Sequence, residues 1–446
     1  MSPPPRQEGS LDAPMRHPVD WRDPAYYDEQ ALNRELERVF DICHGCRRCV
    51  NLCGAFPTLF DLVDESETME VDGVAAEDYV KVVDHCYLCD LCFMTKCPYV
   101  PPHEWNVDFP HLMLRAKAVK FRNGRTPRRD RMMTSTDALG KLASIPVVHR
   151  AVNAAVDSKA VRKRLDKTLG ISAQARLPHY QPRPLHKRLA RREAPVTLPA
   201  PAAGGAGKVA LFVTCYDNYN EPGPVEDLIA VFGHNGIACE VVQSTRCCGM
   251  PKLELGDLEA VREMKEANAP LLAGYAARGF DIIAAVPSCL LMFRQELPLL
   301  FAGDADVEAL SGRLFDPCEY LWLRHKGGAL NLEFRNRLGD VLHHAACHQR
   351  VQNIGPKTRD LLSLVPGTTV ESVERCSGHD GVYAMRSESR RMSVKIAKPV
   401  MHKLNARKPD YFTSDCMLAG HHIADLADGE MRARHPLSLL RLAYGI

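Results

Sequence analysis

At 446 residues the chain is too long for one ordinary hydrophobic core, and its 46% apolar content is enough to build two or three. A formal charge of +2 excludes a uniformly basic or acidic surface, and no uninterrupted apolar run approaches the ~20 residues needed to cross a bilayer. Seventeen cysteines, behind an N-terminus lacking the basic and apolar regions of an export signal, point to reduced thiols, metal sites and a cytoplasmic protein.

In chain order, residues 1–27 read as a disordered tail rich in proline and charge. A short helix over Asp28–Phe40 places Leu32, Leu36, Val39 and Phe40 on one face and delivers the chain to Cys43. Eight cysteines follow in two groups of four: Cys43, Cys46, Cys49, Cys53, then Cys86, Cys89, Cys92, Cys97. Thiolates at i, i+3 and i+6 on a tightly turning loop converge on one cluster, and in the two-cluster pattern C-x2-C-x2-C-x3-C-P the fourth cysteine of each run serves the other cluster. One [4Fe-4S] cluster would then take Cys43, Cys46, Cys49 and Cys97, and the other Cys86, Cys89, Cys92 and Cys53. Two departures are visible: Gly54 replaces the first proline, and four residues rather than three separate Cys92 from Cys97. Neither removes a ligand. Structural zinc is the alternative for such thiolates, although zinc sites usually use two C-x2-C pairs.

Phe56, Leu59, Phe60, Leu62 and Val63 supply apolar cover between the runs, and a helix with Pro110 in its first turn is expected to run to about Arg122 before Gly124. Residues 28–124 are therefore expected to form a mainly α-helical dicluster ferredoxin domain. From Arg115 to Arg131 there are eight basic residues and one acidic; from Lys159 to Glu193, eleven and two. Residues 125–207 accordingly read as a basic helical connector, ending in the Ala/Pro/Gly linker 198–207. The bland reading is a solvated face; a basic surface for an acidic redox partner or an anionic membrane is the sharper one. Nucleic acid fits poorly, because no recognition motif or interleaved aromatics accompany the charge.

Beyond the linker, strands alternate with helices twice, over 208–330 and 331–446, implying two repeated α/β modules with parallel sheets. Cysteines fall at the strand ends: Cys215, Cys247, Cys248 and Cys289 in the first module, Cys347, Cys376 and Cys416 in the second. Spacings of 33 and 41 residues from Cys215 through Cys248 to Cys289 match 29 and 40 from Cys347 through Cys376 to Cys416. Functional groups in such sheets gather beyond the carboxyl ends of the strands, so these seven are candidate metal ligands. Cys239, inside a strand, and Cys318, away from any expected strand tip, read as packing residues.

Two ferredoxin runs followed by paired modules with a Cys-Cys-Gly signature resemble the heterodisulfide reductase-related iron-sulfur oxidoreductases. That family includes the C subunit of anaerobic glycerol-3-phosphate dehydrogenase and the iron-sulfur subunit of glycolate oxidase. The resemblance covers roughly residues 40–446. Cys376-Ser-Gly-His-Asp-Gly, Ser414-Asp-Cys and His435-Pro-Leu-Ser-Leu-Leu look closest to a branch associated with rubrerythrin-like proteins.

The resemblance implies CCG-type modules, the fullest of which binds a noncubane cluster through a cysteine, a Cys-Cys pair and a terminal C-x2-C. Here Met292 replaces the last cysteine of the first module, and Arg375 and Ala419 stand at two ligand positions of the second. His348, His379 and His421 lie near the second set. The implied function is electron transfer between a flavoprotein dehydrogenase or rubrerythrin-like partner and another carrier. The expected cofactors are two [4Fe-4S] clusters, with a further cluster or metal in the modules. The expected place is the cytoplasm or the periphery of the inner membrane face. A zinc-stabilised interaction module without redox function is the competing class. No Gly-x-Gly-x-x-Gly follows an expected strand, so a nicotinamide or flavin would belong to a partner.

Overall fold

The computed structural model describes residue 9 and residues 12–95, 97–189 and 207–446. The chain divides into two compact units: Met1–Thr126 with Leu253–Leu258 and Leu299–Ala302, and Pro127–Lys252 with Glu259–Pro298 and Gly303–Ile446.

Among the described residues the first unit is helical, with α-helices at Glu29–Cys46, Ala55–Asp64, Tyr79–His85, Leu91–Thr95 and Phe109–Arg122. The Asp28 carboxylate accepts the Ala31 N–H at 2.6 Å and starts the first of these. The helix does not stop at Phe40, where its apolar stripe ends. It continues through Cys43 and Cys46 until Arg47 turns left-handed at φ 51°. No residue before that point forces an end, so the first two cysteines ride on a helix rather than on the expected loop. Phe56 packs 4.7 Å from Phe109, and Phe40 meets Tyr79 edge-on at 5.2 Å, closing the core beneath the cysteine runs.

The expected disordered tail is corrected from Asp12 onward, whereas residues 1–8, 10 and 11 lie outside the described residues. Arg16 pairs with Asp90 at 2.6 Å and Asp108 at 3.0 Å and lies 4.4 Å over the Phe93 ring. Trp21 is 2% exposed and donates its indole N–H to the Leu300 carbonyl. A few anchoring side chains outweigh a composition that resembles a tail. The linker expectation, apart from Gly207, also falls outside the described residues.

The second unit holds two all-parallel four-stranded sheets. Strands β1 (Lys208–Leu211), β2 (Ala238–Val241), β3 (Asp281–Ile283) and β4 (Leu314–Phe315) are ordered β2-β1-β3-β4. Strands β5 (Gly339–His344), β6 (Thr368–Val373), β7 (Tyr411–Ser414) and β8 (Ala433–Arg434) are ordered β6-β5-β7-β8. Val209 lies opposite Cys239 and Asp281 as Val341 lies opposite Val370 and Tyr411, so the repeat extends to register. In each sheet the connections leave in opposite directions from the first strand, and a crevice opens over the carboxyl ends of its central pair. Cys215 and Cys289 follow one central pair, Cys347 and Cys416 the other.

Strands β4 and β8 are two residues long, too short for a period to be read. Their presence corrects the placement of Cys318. It follows β4 closely, in the first turn of the Pro317–Lys326 helix, where it is 1% exposed.

The expected connector is built into this unit. It forms helices at Arg128–Met133, Thr136–Ala143, Pro146–Asp157, Lys159–Leu169 and Leu185–Leu189. Arg129 pairs with Glu388 at 2.6 Å, and the Ser172 N–H donates to the Met385 carbonyl at 2.8 Å. One apolar cluster takes Leu185 and Leu189 from the connector, Val209 and Phe232 from the first module, and Val341 and Leu440 from the second. The two modules share a core.

Candidate metal centres

In the first unit Cys53, the last cysteine of the first run, lies with the second run. A cavity is lined by Cys86, Cys89 and Cys92 together with Cys53, under Leu52, Phe56, Leu91, Phe109 and Pro110. Burial, then the thiols of Cys49, Cys86, Cys89 and Cys53, push the Cys92 thiol well above its ordinary value. Cys43 is pushed up likewise by burial, then by Cys49, Cys97 and Cys46. Thiols in such surroundings deprotonate when a cation compensates them, so binding and proton release are linked.

Local chain chemistry accounts for the two departures from the motif. The run that carries the extra residue keeps a link across it, the Cys97 N–H donating to the Cys92 carbonyl at 2.9 Å. Gly54 caps the Ala55–Asp64 helix where the motif has proline. Leu88 and Asp90 both adopt positive φ, 54° and 61°, which bends the second run sharply. Arg16 holds the Asp90 carboxylate, and Lys117 donates to the Cys86 carbonyl, so this turn is braced from two sides.

In the first module the four cysteines touch in series. Cys215 Sγ lies 3.8 Å from Cys247 Sγ, Cys247 neighbours Cys248, and Cys248 neighbours Cys289. Contact with Cys215 and Cys248 lowers the Cys247 thiol well below its ordinary value. Contact with Cys247 and Cys289, then burial, raises Cys248. Among the described residues no three His, Cys, Asp or Glu side chains form a group around a single ion. The donor set is thiol-rich, with Cys247, Cys248 and Cys289 buried and Cys215 partly so, a chemistry that suits iron and sulfide.

Two polar residues that periodicity did not single out position the Cys-Cys turn. Asn268, fully buried on the Leu258–Ala277 helix, accepts the Arg246 N–H at 2.8 Å and donates to the Cys247 carbonyl at 3.0 Å. The Asp137 carboxylate accepts the Cys247 N–H at 2.8 Å. A lone Asn inside a helix that buries its neighbours was the available signal for the first; nothing local marks the second.

The second module keeps the frame with other side chains. Cys347 opens a short helix past β5, and Cys416 caps the Met417–Leu426 helix past β7. Cys376 Sγ accepts the Gly378 N–H at 3.3 Å. Burial pushes Cys416 up to about 12, against the Ala419 and Leu418 N–H groups, with Asp380 and Cys289 adding to the rise. His421 is paired with Glu221 at 2.8 Å. His348 and His379 are buried, and their Nε2 atoms have no hydrogen-bond partner.

A buried polar network joins the modules. His343 Nε2 lies 2.7 Å from Asp415, whose other oxygen accepts from Thr358 at 2.6 Å. Asp316, past β4, caps the Pro317–Lys326 helix and accepts from Gln349 at 3.4 Å. Burial and then the Asp415 charge push Asp316 up to about 7. Burial would raise Asp415 too, but the His343 charge and hydrogen bond hold it low.

Residues 209–294 match a family described as a cysteine-rich domain of the CCG type. Over 342 residues, 76% of this chain, it is 26% identical to the C subunit of the anaerobic glycerol-3-phosphate dehydrogenase of Escherichia coli K12, covering 82% of that protein. It is 24% identical over 246 residues, 53% of this chain and 46% of the relative, to the B subunit of the fumarate reductase (CoM/CoB) of Methanothermobacter marburgensis. It is 26% identical over 191 residues to the lactate utilization protein A of Bacillus cytotoxicus, 40% of this chain and 75% of that one. No helix among the described residues is long and apolar enough to cross a membrane. With this cysteine-rich domain and these relatives, the chain resembles the heterodisulfide reductase-related iron-sulfur proteins.

Proposed function

We propose that this chain is an electron-transfer subunit holding two [4Fe-4S] clusters, one on Cys43, Cys46, Cys49 and Cys97 and the other on Cys86, Cys89, Cys92 and Cys53. The observation that carries this reading is the cavity that Cys53 shares with the second run. Such clusters supply one-electron transfer. The chain's own residues set the spacing and exclude water: Phe56, Phe109 and Leu91 cover the second set, and Arg16 and Lys117 brace its turn. Cys215, Cys247, Cys248 and Cys289 are proposed to hold a third iron-sulfur centre. Cys347, Cys376 and Cys416 are too few for the family's five-cysteine set and are proposed as an incomplete site.

The relatives' names are those of dehydrogenase and reductase subunits, which supports a partner carrying the substrate chemistry: a flavoprotein dehydrogenase or a rubrerythrin-like protein. Anaerobically purified protein should be brown, with about eight irons in the first unit and acid-labile sulfide to match. Zinc without sulfide in a colourless protein would mean an interaction module instead. Substituting Cys53→Ser should alter the paramagnetic signal of the cluster on Cys86, Cys89 and Cys92, and Cys97→Ser that of the other. If each substitution disturbs only the cluster of its own run, the crossed assignment is wrong.

A further inference from the structure

A groove of about 970 Å³ runs through the second unit, between the connector and the two modules, with Lys159, Arg162, Lys163, Arg176, Tyr216 and His421 among its lining residues. At its inner end Arg176, Tyr216 and His421 also line a cavity of about 20 Å³, room for one water, whose wall includes His379. The groove therefore leads from exposed lysines to a buried imidazole. Its end lies beside two candidate ligands, since Tyr216 follows Cys215 in sequence and senses the charge of Cys416.

The charges along the groove are unequal in availability. Lys159, Arg162, Lys163 and Arg176 make four permanent cations against three carboxylates, Asp157, Glu221 and Asp425. Each carboxylate is engaged: Asp157 by His179 at 2.8 Å, Glu221 by His421 at 2.8 Å and Asp425 by Arg176 at 2.9 Å. Lys159 and Lys163 have no ion-pair partner among the described residues. Arg162 is 6% exposed, gives one guanidinium nitrogen to the Ser172 and Ala175 carbonyls, and leaves Nε without a partner.

The inner end has a different chemistry. His379 is 8% exposed and its Nε2 has no partner, although buried polar atoms are rarely left so. Burial lowers this imidazole to about 4, so it is uncharged at neutral pH and suited to an uncharged oxygen. A ligand satisfying both ends is negative at one and neutral and polar at the other.

We propose that the groove binds a small organic hydroxy- or keto-acid, with carboxylate on the Lys159 and Lys163 side and its neutral oxygen directed towards His379, through the cavity water or in its place. This stands apart from the electron-transfer reading, because binding is measured on the full chain together with its iron content.

The test uses malate as probe, with succinate as the analogue lacking the hydroxyl, in titration calorimetry on the anaerobically purified protein. Malate should bind more tightly than succinate, and raising the salt concentration should weaken both. The double variant Lys159→Ala/Lys163→Ala changes only exposed side chains and should weaken both by about five- to tenfold without changing iron content. His379→Gln should erase the preference for malate while leaving succinate unchanged. The proposal is overturned if malate does not bind, if the double variant binds it as the parent does, or if the preference survives in His379→Gln. Parent protein that contains no iron yet binds malate more tightly than succinate would count against the metal assignment and in favour of the groove.

Discussion

The two modules share strand order, register and spacing, yet they differ at the tips of their strands. In the first, Cys247 and Cys248 sit on a turn held by Asn268 and Asp137, and four thiols touch in series. In the second, Arg375, Cys376, Ser377 and Gly378 occupy the corresponding turn, and the clamp is Ser393, whose hydroxyl donates to the Gly378 carbonyl at 2.6 Å. The frame depends on apolar packing distributed over many residues, whereas a metal site depends on each donor. A repeat can therefore lose ligands at one end of its sheet without losing the sheet.

The sharpest way to break the comparison is to count iron. Cys248→Ser should remove the metal held beyond the first unit's roughly eight irons, while Cys376→Ser should leave the total unchanged. Equal losses in the two variants, measured by metal and sulfide analysis, would show that both modules are loaded.

Next in size is the glycine that follows each turn. A Cβ on Gly378 would meet the Ser393 carbonyl oxygen at 2.2 Å in a backbone at φ +70°. On Gly249, at φ +102°, the nearest atom is the flexible Met292 Cε at 3.4 Å. Gly378→Ala should cost about 3 kcal/mol or more, from backbone collision added to strain, and Gly249→Ala about 1–2 kcal/mol from strain alone. Denaturant midpoints that rank the two variants the other way would mean that the second turn is the softer one.

The smallest effects concern the residues that follow the fourth strands. Asp316 caps one helix past β4, and His435 caps another past β8, each followed by proline. Asp316 is raised to about 7 by burial and Asp415, with Glu319 also facing it. The folded state therefore holds a proton that the unfolded chain releases near pH 4. Its contribution is complete below that value and is lost as pH rises through about 7. His435 is lowered by burial, against Asp415, so its contribution is present above the ordinary histidine value and is lost as pH falls below it. Asp316→Asn should flatten the alkaline limb of melting temperature against pH, by about 1 kcal/mol, and His435→Asn the acid limb. Both replacements keep a capping side chain. If either substitution flattens the opposite limb, the assignment of that limb is wrong.

The candidate cysteine sets are legible in the sequence, because cysteine spacing reports directly on which thiols a short turn can bring together. The grouping of Cys43 with Cys97 and of Cys53 with Cys86 is an expectation of that kind, and the structure places Cys53 in one cavity with Cys86, Cys89 and Cys92. The alternation of strand and helix was legible too: the Leu258–Ala277 helix falls where its period places it. Arg16 and Trp21 were not, since each acts through a partner remote in sequence, Asp90 and Asp108 for one and Leu300 for the other. The two-residue strands β4 and β8 were missed because nothing so short has a period.

By itself, then, the order of residues determined the number of cysteine sets, the repeated α/β pattern and the positions of thiols at strand ends, all of which depend on near neighbours and on the alternation of apolar residues. The tertiary structure decided what depends on residues far apart: the shared core of the two modules, the folding of the basic connector onto them, the Asn268 and Ser393 clamps, and the groove that ends at His379. Burial and partnership are properties of a packed interior. They arise only once segments separated by a hundred residues or more displace water from one another.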